Sequence, residues 1–428
     1  MPEDKLQGGK YQDRELPGVL KAKPEIKEQK MGKIEIKKDI FWVGAVDWDM
    51  RTFHGHTYTT KRGTTYNAYL ILDDKVTLVD TVYGPFAAEL IERIKEIIPP
   101  EKIDYVIANH VETDHSGALP ELMKLCPKAK VLGTAKCKEG LFKHYYGDWD
   151  FQAVKTGDKL KLGRKTLTFL EAPMIHWPDS MFTYCPEEKL LLPNDAFGQH
   201  YATSERFDDE VDQCALMDEA IKYYANILWP LGAVILKKIE EVQKLNIPIS
   251  MIAPSHGIIW RDDPMKIINA YISWAKNEIK PKVVVAYETM WGATEKMARK
   301  IAEGISDAGV SVKVFDVALS DRTEIMKEML DAKGFILGSS THDNDMLPTI
   351  SGFLEFLKGL KPKNRLACVF GSYGWAGGAV QEIESVIKEA GIELVQPGLP
   401  VKYVPDENEI KSCYEYGKNF ADKIKGGS

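Results

Sequence analysis

The chain has 428 residues, 44% of them hydrophobic and 28% charged, with a net charge of −7. At roughly 150 residues per domain this length holds two or three domains, and the balance excludes a disordered or fibrous chain. The longest apolar run, 227–236, is broken by Pro230 and Gly232, which excludes a membrane span, and six cysteines without a C-x-x-C pair argue against a disulfide framework or a cysteine-held iron–sulfur centre.

Residues 1–33 mix Lys and Glu with no apolar core, so they read as a flexible lead-in rather than a secretory signal, and a cytoplasmic address is expected. No basic stripe interleaved with aromatics occurs, so no nucleic-acid partner is expected. From Asp39, β-rich runs at 41–46, 66–72 and 76–80 alternate with turn signals, and 84–98 has helical apolar spacing. Further strands are predicted at 104–108, 130–133, 151–154, 166–170, 189–192 and 250–253. Helices are predicted at 117–125, 135–146, 213–244 and 264–279. The stretch 277–282, with Pro281 after a charged helix end, marks a boundary between a domain at 34–278 and one at 282–428. Beyond it, strands at 283–287, 312–317, 334–338 and 366–371 alternate with helices at 294–308, 322–331, 350–359 and 377–390. That is the βαβ rhythm of an open parallel sheet covered by helices on both faces.

The strongest chemical signal is His110-Val-Glu112-Thr-Asp114-His115, directly after the strand ending at Ala108. Positions two apart in an extended turn project to one side, which predicts that His110, Glu112 and Asp114 converge while His115 faces elsewhere. Two neighbouring metals fit that geometry. His176, Asp195 and His256 follow singly, each in a loop after a strand, where function concentrates. Taken alone, each reads as a hydrogen-bonded loop residue; together, four of the nine histidines stand at such positions. A carboxylate such as Asp195 can bridge two cations, and a donor set of carboxylates and imidazoles favours iron or manganese over zinc.

The H-x-E-x-D-H run, followed at long intervals by His, Asp and His, resembles the metallo-β-lactamase fold as flavodiiron proteins use it. Hydrolases of that superfamily carry His where Glu112 stands. The resemblance implies one iron on His110, Glu112 and His176, a second on Asp114, His115 and His256, and Asp195 bridging them; the histidine matching His115 turns away in some family members. His54, His56 and His200 lie in loops similar to family segments that line the site, and His54, His200 and Tyr201 are the candidates for supplying protons or polarity.

After the strand at 283–287 comes Thr289-Met290-Trp291-Gly292-Ala293-Thr294 and then a helix. Hydroxyls and backbone N–H groups at a helix opening form an anion nest. The spacing of Thr289 and Thr294 resembles the phosphate loop of flavodoxins, with neither a Walker lysine nor a G-x-G-x-x-G fingerprint, which points to FMN. Ser339-Ser340-Thr341-His342-Asp343-Asn344 and Ser372-Tyr373-Gly374-Trp375-Ala376-Gly377 occupy the positions where flavodoxin-like sheets contact the isoalloxazine ring.

A di-metal centre beside a flavin implies electron transfer, since hydrolysis needs no flavin. The similarity to A-type flavodiiron proteins runs from about Asp39 onward and includes Gly63–Tyr69 and His176–Ser180. It implies a metallo-β-lactamase-like αββα sandwich followed by a flavodoxin-like doubly wound parallel sheet. It further implies an oxidoreductase that reduces dioxygen to water, nitric oxide to nitrous oxide, or both, through FMN and a non-haem diiron centre. A head-to-tail homodimer, or a dimer of dimers, is expected. The electron donor acts in trans, as rubredoxin or reduced coenzyme F420, because the chain has no rubredoxin-like cysteine set or nicotinamide fingerprint. Two rival readings remain open. A metal-dependent hydrolase fused to a flavodoxin module has Glu112 against it, and a redox or gas sensor has no output domain.

Overall fold

Short β-branched and aromatic runs supply the strands. In the computed structural model, which describes residues 33–426, β1 (Ile34–Lys37), β2 (Ile40–Trp42), β3 (Tyr69–Ile71) and β4 (Val76–Val79) pair antiparallel. The same sheet continues in parallel through β5 (Ile103–Ile107), β6 (Lys130–Gly133) and β7 (Phe151–Ala153). The expected lead-in at 1–33 lies outside the described residues except for Lys33. Helices α1 (Ala87–Lys95), α2 (Leu119–Leu125) and α3 (Ala135–Tyr145) bury Leu90, Leu122 and Leu141 against Leu78, Val106 and Val131 of this sheet.

A second sheet runs β8 (Lys159–Lys161), β9 (Thr166–Glu171), β10 (Met181–Cys185) and β11 (Leu190–Leu192) antiparallel, then β12 (Met251–Ile252) parallel to β11. Helices α4 (Gln213–Tyr223), α5 (Gly232–Lys244) and α6 (Pro264–Ala275) pack Leu216, Ile235 and Ile267 onto Phe182 and Leu191. Loops at one end of the two sheets are tied together: Met181 N–H donates to Asn109 O (2.9 Å), and Asn67 Nδ2 donates to Pro254 O (2.9 Å) and Gly257 O (3.0 Å).

Three expectations change here. The helix expected over 213–244 is two helices, because Pro230 has no N–H to continue the ladder; residues 224–228 widen into a π turn and Trp229–Leu231 tighten into a 3₁₀ turn. The expected strands at 41–46 and 66–72 each break in two, and their outer pieces form a separate hairpin-like pair, Ala45–Asp47 with Thr64–Tyr66. Strand β10 has no counterpart among the predicted elements: all five of its residues are buried, so the alternation that reveals a strand is missing.

The remaining sheet contains β13 (Lys280–Glu288), β14 (Ser311–Asp316), β15 (Ala332–His342), β16 (Leu366–Tyr373) and β17 (Glu393–Leu394), all parallel, in the order β14-β13-β15-β16-β17. Strand β13 starts ahead of its expected position, and Pro281 is accommodated at the register shift between Lys280 and Val283. Helices α7 (Ala293–Asp307), α8 (Arg322–Leu330), α9 (Pro348–Leu360), α10 (Ala379–Glu389) and α11 (Glu407–Gly426) complete a doubly wound layer. The strand order reverses between β13 and β15, and a ligand crevice belongs at that point, beyond the carboxyl ends of the strands. Helix α11 lay beyond the predicted elements. It lies against α7 closely enough that a Cβ on Gly417 would meet Ile301 O at 2.0 Å.

The two halves share one apolar core, in which Tyr224 and Leu228 meet Met326 and Leu330. A polar seam accompanies it: Lys222 Nζ lies 2.8 Å from Glu324 Oε1, and Asn226 Nδ2 donates to Thr323 O at 3.1 Å. Among the described residues no helix is long and apolar enough to cross a membrane.

Candidate metal centre and flavin cradle

The strand-end loops bring seven acidic and imidazole side chains together in two groups. His110, Glu112, His176 and Asp195 form one, and Asp114, His115 and His256 the other; within each group the candidate ligand atoms lie within 4.8 Å of one another. The expectation that His115 faces away from Asp114 does not hold. Thr113–Ser116 is a helical turn, not an extended one, so Asp114 and His115 fall in the same group, with His115 Nε2 3.3 Å from Asp114 Oδ2. Asp195 stands between the groups. Its Oδ1 is 3.0 Å from His115 Nε2 and 3.5 Å from His256 Nε2, while its Oδ2 is 3.2 Å from His176 Nε2 and 3.6 Å from His110 Nε2.

Supporting bonds aim the imidazoles. His110 Nδ1–H donates to Asp179 Oδ2 (3.0 Å), which also accepts from Val111 N–H (2.8 Å), and His256 Nδ1–H donates to Thr65 O (2.6 Å). Each Nε2 therefore carries a lone pair toward the group, as in metal sites where a second partner fixes the tautomer. Buried Asp80 joins two of the loops by accepting from Asn109 N–H, Asn109 Nδ2 and Asn194 Nδ2. Sequence reading missed Asp179 and Asp80. For Asp179 a signal existed, since it lies three residues after His176 in a segment already singled out.

The donor set fits cations. Asp114 Oδ1 and Oδ2, His115 Nδ1 and Nε2, Asp195 Oδ2 and His256 Nε2 are buried without a hydrogen-bond partner. An unsatisfied buried polar atom costs about 1–3 kcal/mol, more when charged, and metal ions held by one atom each of Asp114, His115, His256 and Asp195 would satisfy part of this set. The electrostatics agree. Burial disfavours charge on Asp195, yet the charges of His115 and His176 hold its pKa well below the usual range. Burial likewise lowers the His115 pKa, but the charges of Asp114 and Asp195 raise it to about 9. So many carboxylates demand positive charge among them, as protons or as metals.

His54 lies at the open side, its Nε2 2.9 Å from Glu112 Oε1; burial opposes its charge, but Glu112 prevails and raises its pKa. A cavity of about 340 Å³ lined by Phe53, His54, Tyr66, Tyr83, Glu112 and Asp114 opens there. His200 is buried behind the site: its Nδ1 is 2.8 Å from Thr64 Oγ1, and burial first, then the charges of His256 and His54, push its pKa well down. Tyr223, which sequence reading missed, packs 5.2 Å from the His200 ring. His56 and Tyr201 stand apart. The His56 carbonyl accepts from Arg322, and Tyr201 lies under the Arg62 guanidinium, 5.6 Å from its ring centre.

At the switch point three hydroxyls meet, from the first turn of α7 and the carboxyl ends of β15 and β16. Thr294 Oγ1 is 2.9 Å from Ser340 Oγ and 2.8 Å from Ser372 Oγ, and Met290 N–H donates to Ser340 Oγ at 3.3 Å. Gly292, at φ +83°, begins α7 with no side-chain cap, which leaves the helix N–H groups for an anion. Ser339 braces the loop instead, its hydroxyl accepting from Leu347 N–H and donating to Ser340 O. The loop expected over 339–344 is instead the end of β15 and a hairpin, in which His342 pairs with Asp345 across Asp343 and Asn344, both at positive φ. Gly378, just beyond the expected segment, lets this hairpin approach; a Cβ there would lie 1.8 Å from Asn344 O. Thr341, Tyr373, Gly377 and Gly378 line a cavity of about 200 Å³ beside it. Trp291 and Trp375 are 92% and 88% exposed.

Known proteins share this combination. The family model described as ODP family beta lactamase matches residues 64–257, and the flavodoxin model matches 285–417. A nitric oxide reductase of Moorella thermoacetica is 54% identical over 393 residues, covering 91% of this chain and 98% of that protein. The flavodiiron protein of Giardia intestinalis superposes with a TM-score of 0.89 at 34% identity, over 92% of this chain and 97% of that one. The chain belongs to the flavodiiron protein family. Rubredoxin oxygen:oxidoreductase of Desulfovibrio gigas is similar to it at a TM-score of 0.90 and 38% identity, over 92% and 98% of the two chains. As a flavodiiron protein the chain is an oxidoreductase with a metallo-β-lactamase-like and a flavodoxin-like domain, and the hydrolase and sensor readings are not favoured.

Proposed function

We propose that this flavodiiron protein reduces nitric oxide to nitrous oxide, dioxygen to water, or both, with electrons passing from an external donor through FMN to a non-haem diiron site. The observation that carries the reading is Asp195, whose two oxygens face two different ligand groups, as a bridge between two cations requires. In this reading residues 34–278 hold the metals and 282–428 hold FMN. His110, Glu112 and His176 hold one iron, Asp114, His115 and His256 the other. Thr289, Thr294, Ser340, Ser372 and the opening of α7 hold the phosphate, while Thr341 to Asn344, Tyr373 to Gly377, Trp291 and Trp375 flank the ring.

When bound, the irons supply an open position for a diatomic molecule, and together with FMN they supply the electrons. The chain positions and protonates. Asp179 and Thr65 O keep the His110 and His256 lone pairs directed inward. His54 places Nε2 2.9 Å from Glu112 Oε1 beside the open side, where Glu112 favours a proton on it against burial. His200 stays neutral in its buried place and adds polarity behind the site. Exposed Trp291 and Trp375 suit cover by a second subunit, so a head-to-tail homodimer, or a dimer of dimers, is part of the reading. Rubredoxin or reduced coenzyme F420 serves as donor, in the cytoplasm.

The test is anaerobic purification, iron and FMN quantitation, then consumption of each gas with either reduced donor. Paired iron, bound FMN and sustained gas consumption are expected. Zinc alone, with neither gas consumed, overturns the reading.

A further inference from the structure

A third cavity, of about 140 Å³, lies between the second sheet and helices α5 and α6. Phe182, Leu191, Ile235, Ile239 and Ile268 line it, and so do Ile175, Ala196 and Phe197. Of these lining residues, Ile175 and Ala196 are the immediate chain neighbours of His176 and Asp195. The cavity therefore touches the two loops that carry the proposed ligands.

Its chemistry restricts what it holds. Lys238 at the rim is engaged by Glu241 at 2.6 Å. Tyr271 brings a hydroxyl into the wall, its oxygen accepting the Phe197 N–H at 2.8 Å, and Gln243 is the one other polar side chain of the lining; every remaining lining residue is apolar. A buried water needs two to four polar partners, whereas apolar cavities of this size stay dry and take up benzene or xenon. Phe197 also sits at φ +69°, a conformation a bulky side chain rarely adopts. Its backbone is held there by Tyr271 and by Trp260 Nε1, which donates to Phe197 O at 2.9 Å, and its ring packs against Tyr271 with centroids 4.6 Å apart. The chain thus holds an aromatic wall two residues after the bridging carboxylate.

We propose that this cavity takes up the diatomic gas substrate and delivers it to the metal centre from behind, past Ile175 and Ala196. The inference rests on the gas-reductase reading above and adds a binding site to it. Nitric oxide and dioxygen need no hydrogen-bond partner and partition into apolar space, where water and ions do not follow. The cavity of about 340 Å³ at Glu112 and His54 is then left for water and protons.

The test pressurises crystals of the iron- and FMN-loaded protein with xenon and pairs this with kinetics. Xenon is expected in the cavity. Ile239→Trp, on α5 and away from both ligand loops, is expected to exclude xenon and raise the KM for the gas about fivefold, with kcat at saturating gas and iron content unchanged. Should that variant not fold, Ile249→Trp at the rim serves the same purpose, and the xenon measurement on the unaltered protein stands regardless. An unaltered protein that takes up no xenon, or a filled cavity with unchanged kcat/KM, overturns the proposal. So does an elongated apolar molecule found already filling the space. Xenon uptake without consumption of either gas overturns the reductase reading and the delivery role with it, whereas normal turnover with no xenon overturns the cavity alone.

Discussion

The metal group draws seven side chains from loops spread over residues 110–256 and buries most of them, whereas the flavin cradle gathers hydroxyls and backbone N–H groups at one end of a single sheet and leaves its tryptophans in solvent. The difference follows from charge. Carboxylates and imidazoles removed from water must be compensated and aimed, so the metal group recruits a second set of residues, Asp179, Asp80 and the Thr65 carbonyl. The cradle needs little such support, because a helix N-terminus already points its donors at one place. If this contrast is right, damage to the first site propagates through charge, and damage to the second stays local.

Asp195→Asn tests it most severely. Removing the charge shared by both groups is expected to empty both metal positions and abolish gas reduction, a loss beyond the roughly 10–100-fold that follows removal of a supporting partner. FMN content, read from flavin absorbance, should be unchanged. Retained iron with retained activity would break the bridging assignment.

Thr294→Val addresses the other side. It removes the hydroxyl that meets Ser340 and Ser372, and a hydrogen bond to a charged group is worth about 1.5–3 kcal/mol, so FMN affinity should fall roughly 10–100-fold. Metal analysis should show iron unaffected; parallel loss of iron would mean the sites are not independent. Asp179→Asn is a smaller perturbation. It keeps the shape but weakens the hold on His110, and iron affinity should drop about tenfold, measured by chelator competition, while His256 keeps its own Thr65 partner.

Much of both sites was legible because each is anchored in contiguous residues. The six residues from His110 to His115 and the six from Thr289 to Thr294 announce their chemistry by type and spacing, and the βαβ rhythm after Lys282 predicts the doubly wound sheet. What escaped was non-local. Tyr223 meets His200 only through the packing of α4, and Gly378 matters only because Asn344 returns to it across the hairpin. The placement of His115 failed on a local point, a helical turn where an extended one was expected, and β10 failed because burial on both faces erases alternation. Helix α11 buries Cys413, Gly417, Phe420 and Ile424 at helical spacing, but small residues at two of these positions dilute its apolar stripe.

Glu219 gives the finest comparison, between a buried carboxylate among ligands and one that is not. It lies on α4, with Arg62 Nε 3.2 Å away, and burial, opposed by Lys222 and aided by the charge of Glu324, raises its pKa to about 6, while Asp195 is held low by its imidazoles. A carboxyl with a raised folded-state pKa stabilises the fold fully below its unfolded value near 4.5, and that contribution is lost as pH rises through about 6. At 1.36 kcal/mol per unit the swing is about 2 kcal/mol. Urea unfolding of the wild type and of Glu219→Gln at pH 4.5, where the unfolded carboxyl is already half ionised, and at pH 7 should therefore show the variant gaining about 1.5 kcal/mol relative to wild type over that interval, with iron and FMN content unchanged. A flat difference would mean that Arg62 and Lys222 keep Glu219 ionised throughout, and that burial alone does not separate this carboxylate from those of the metal group.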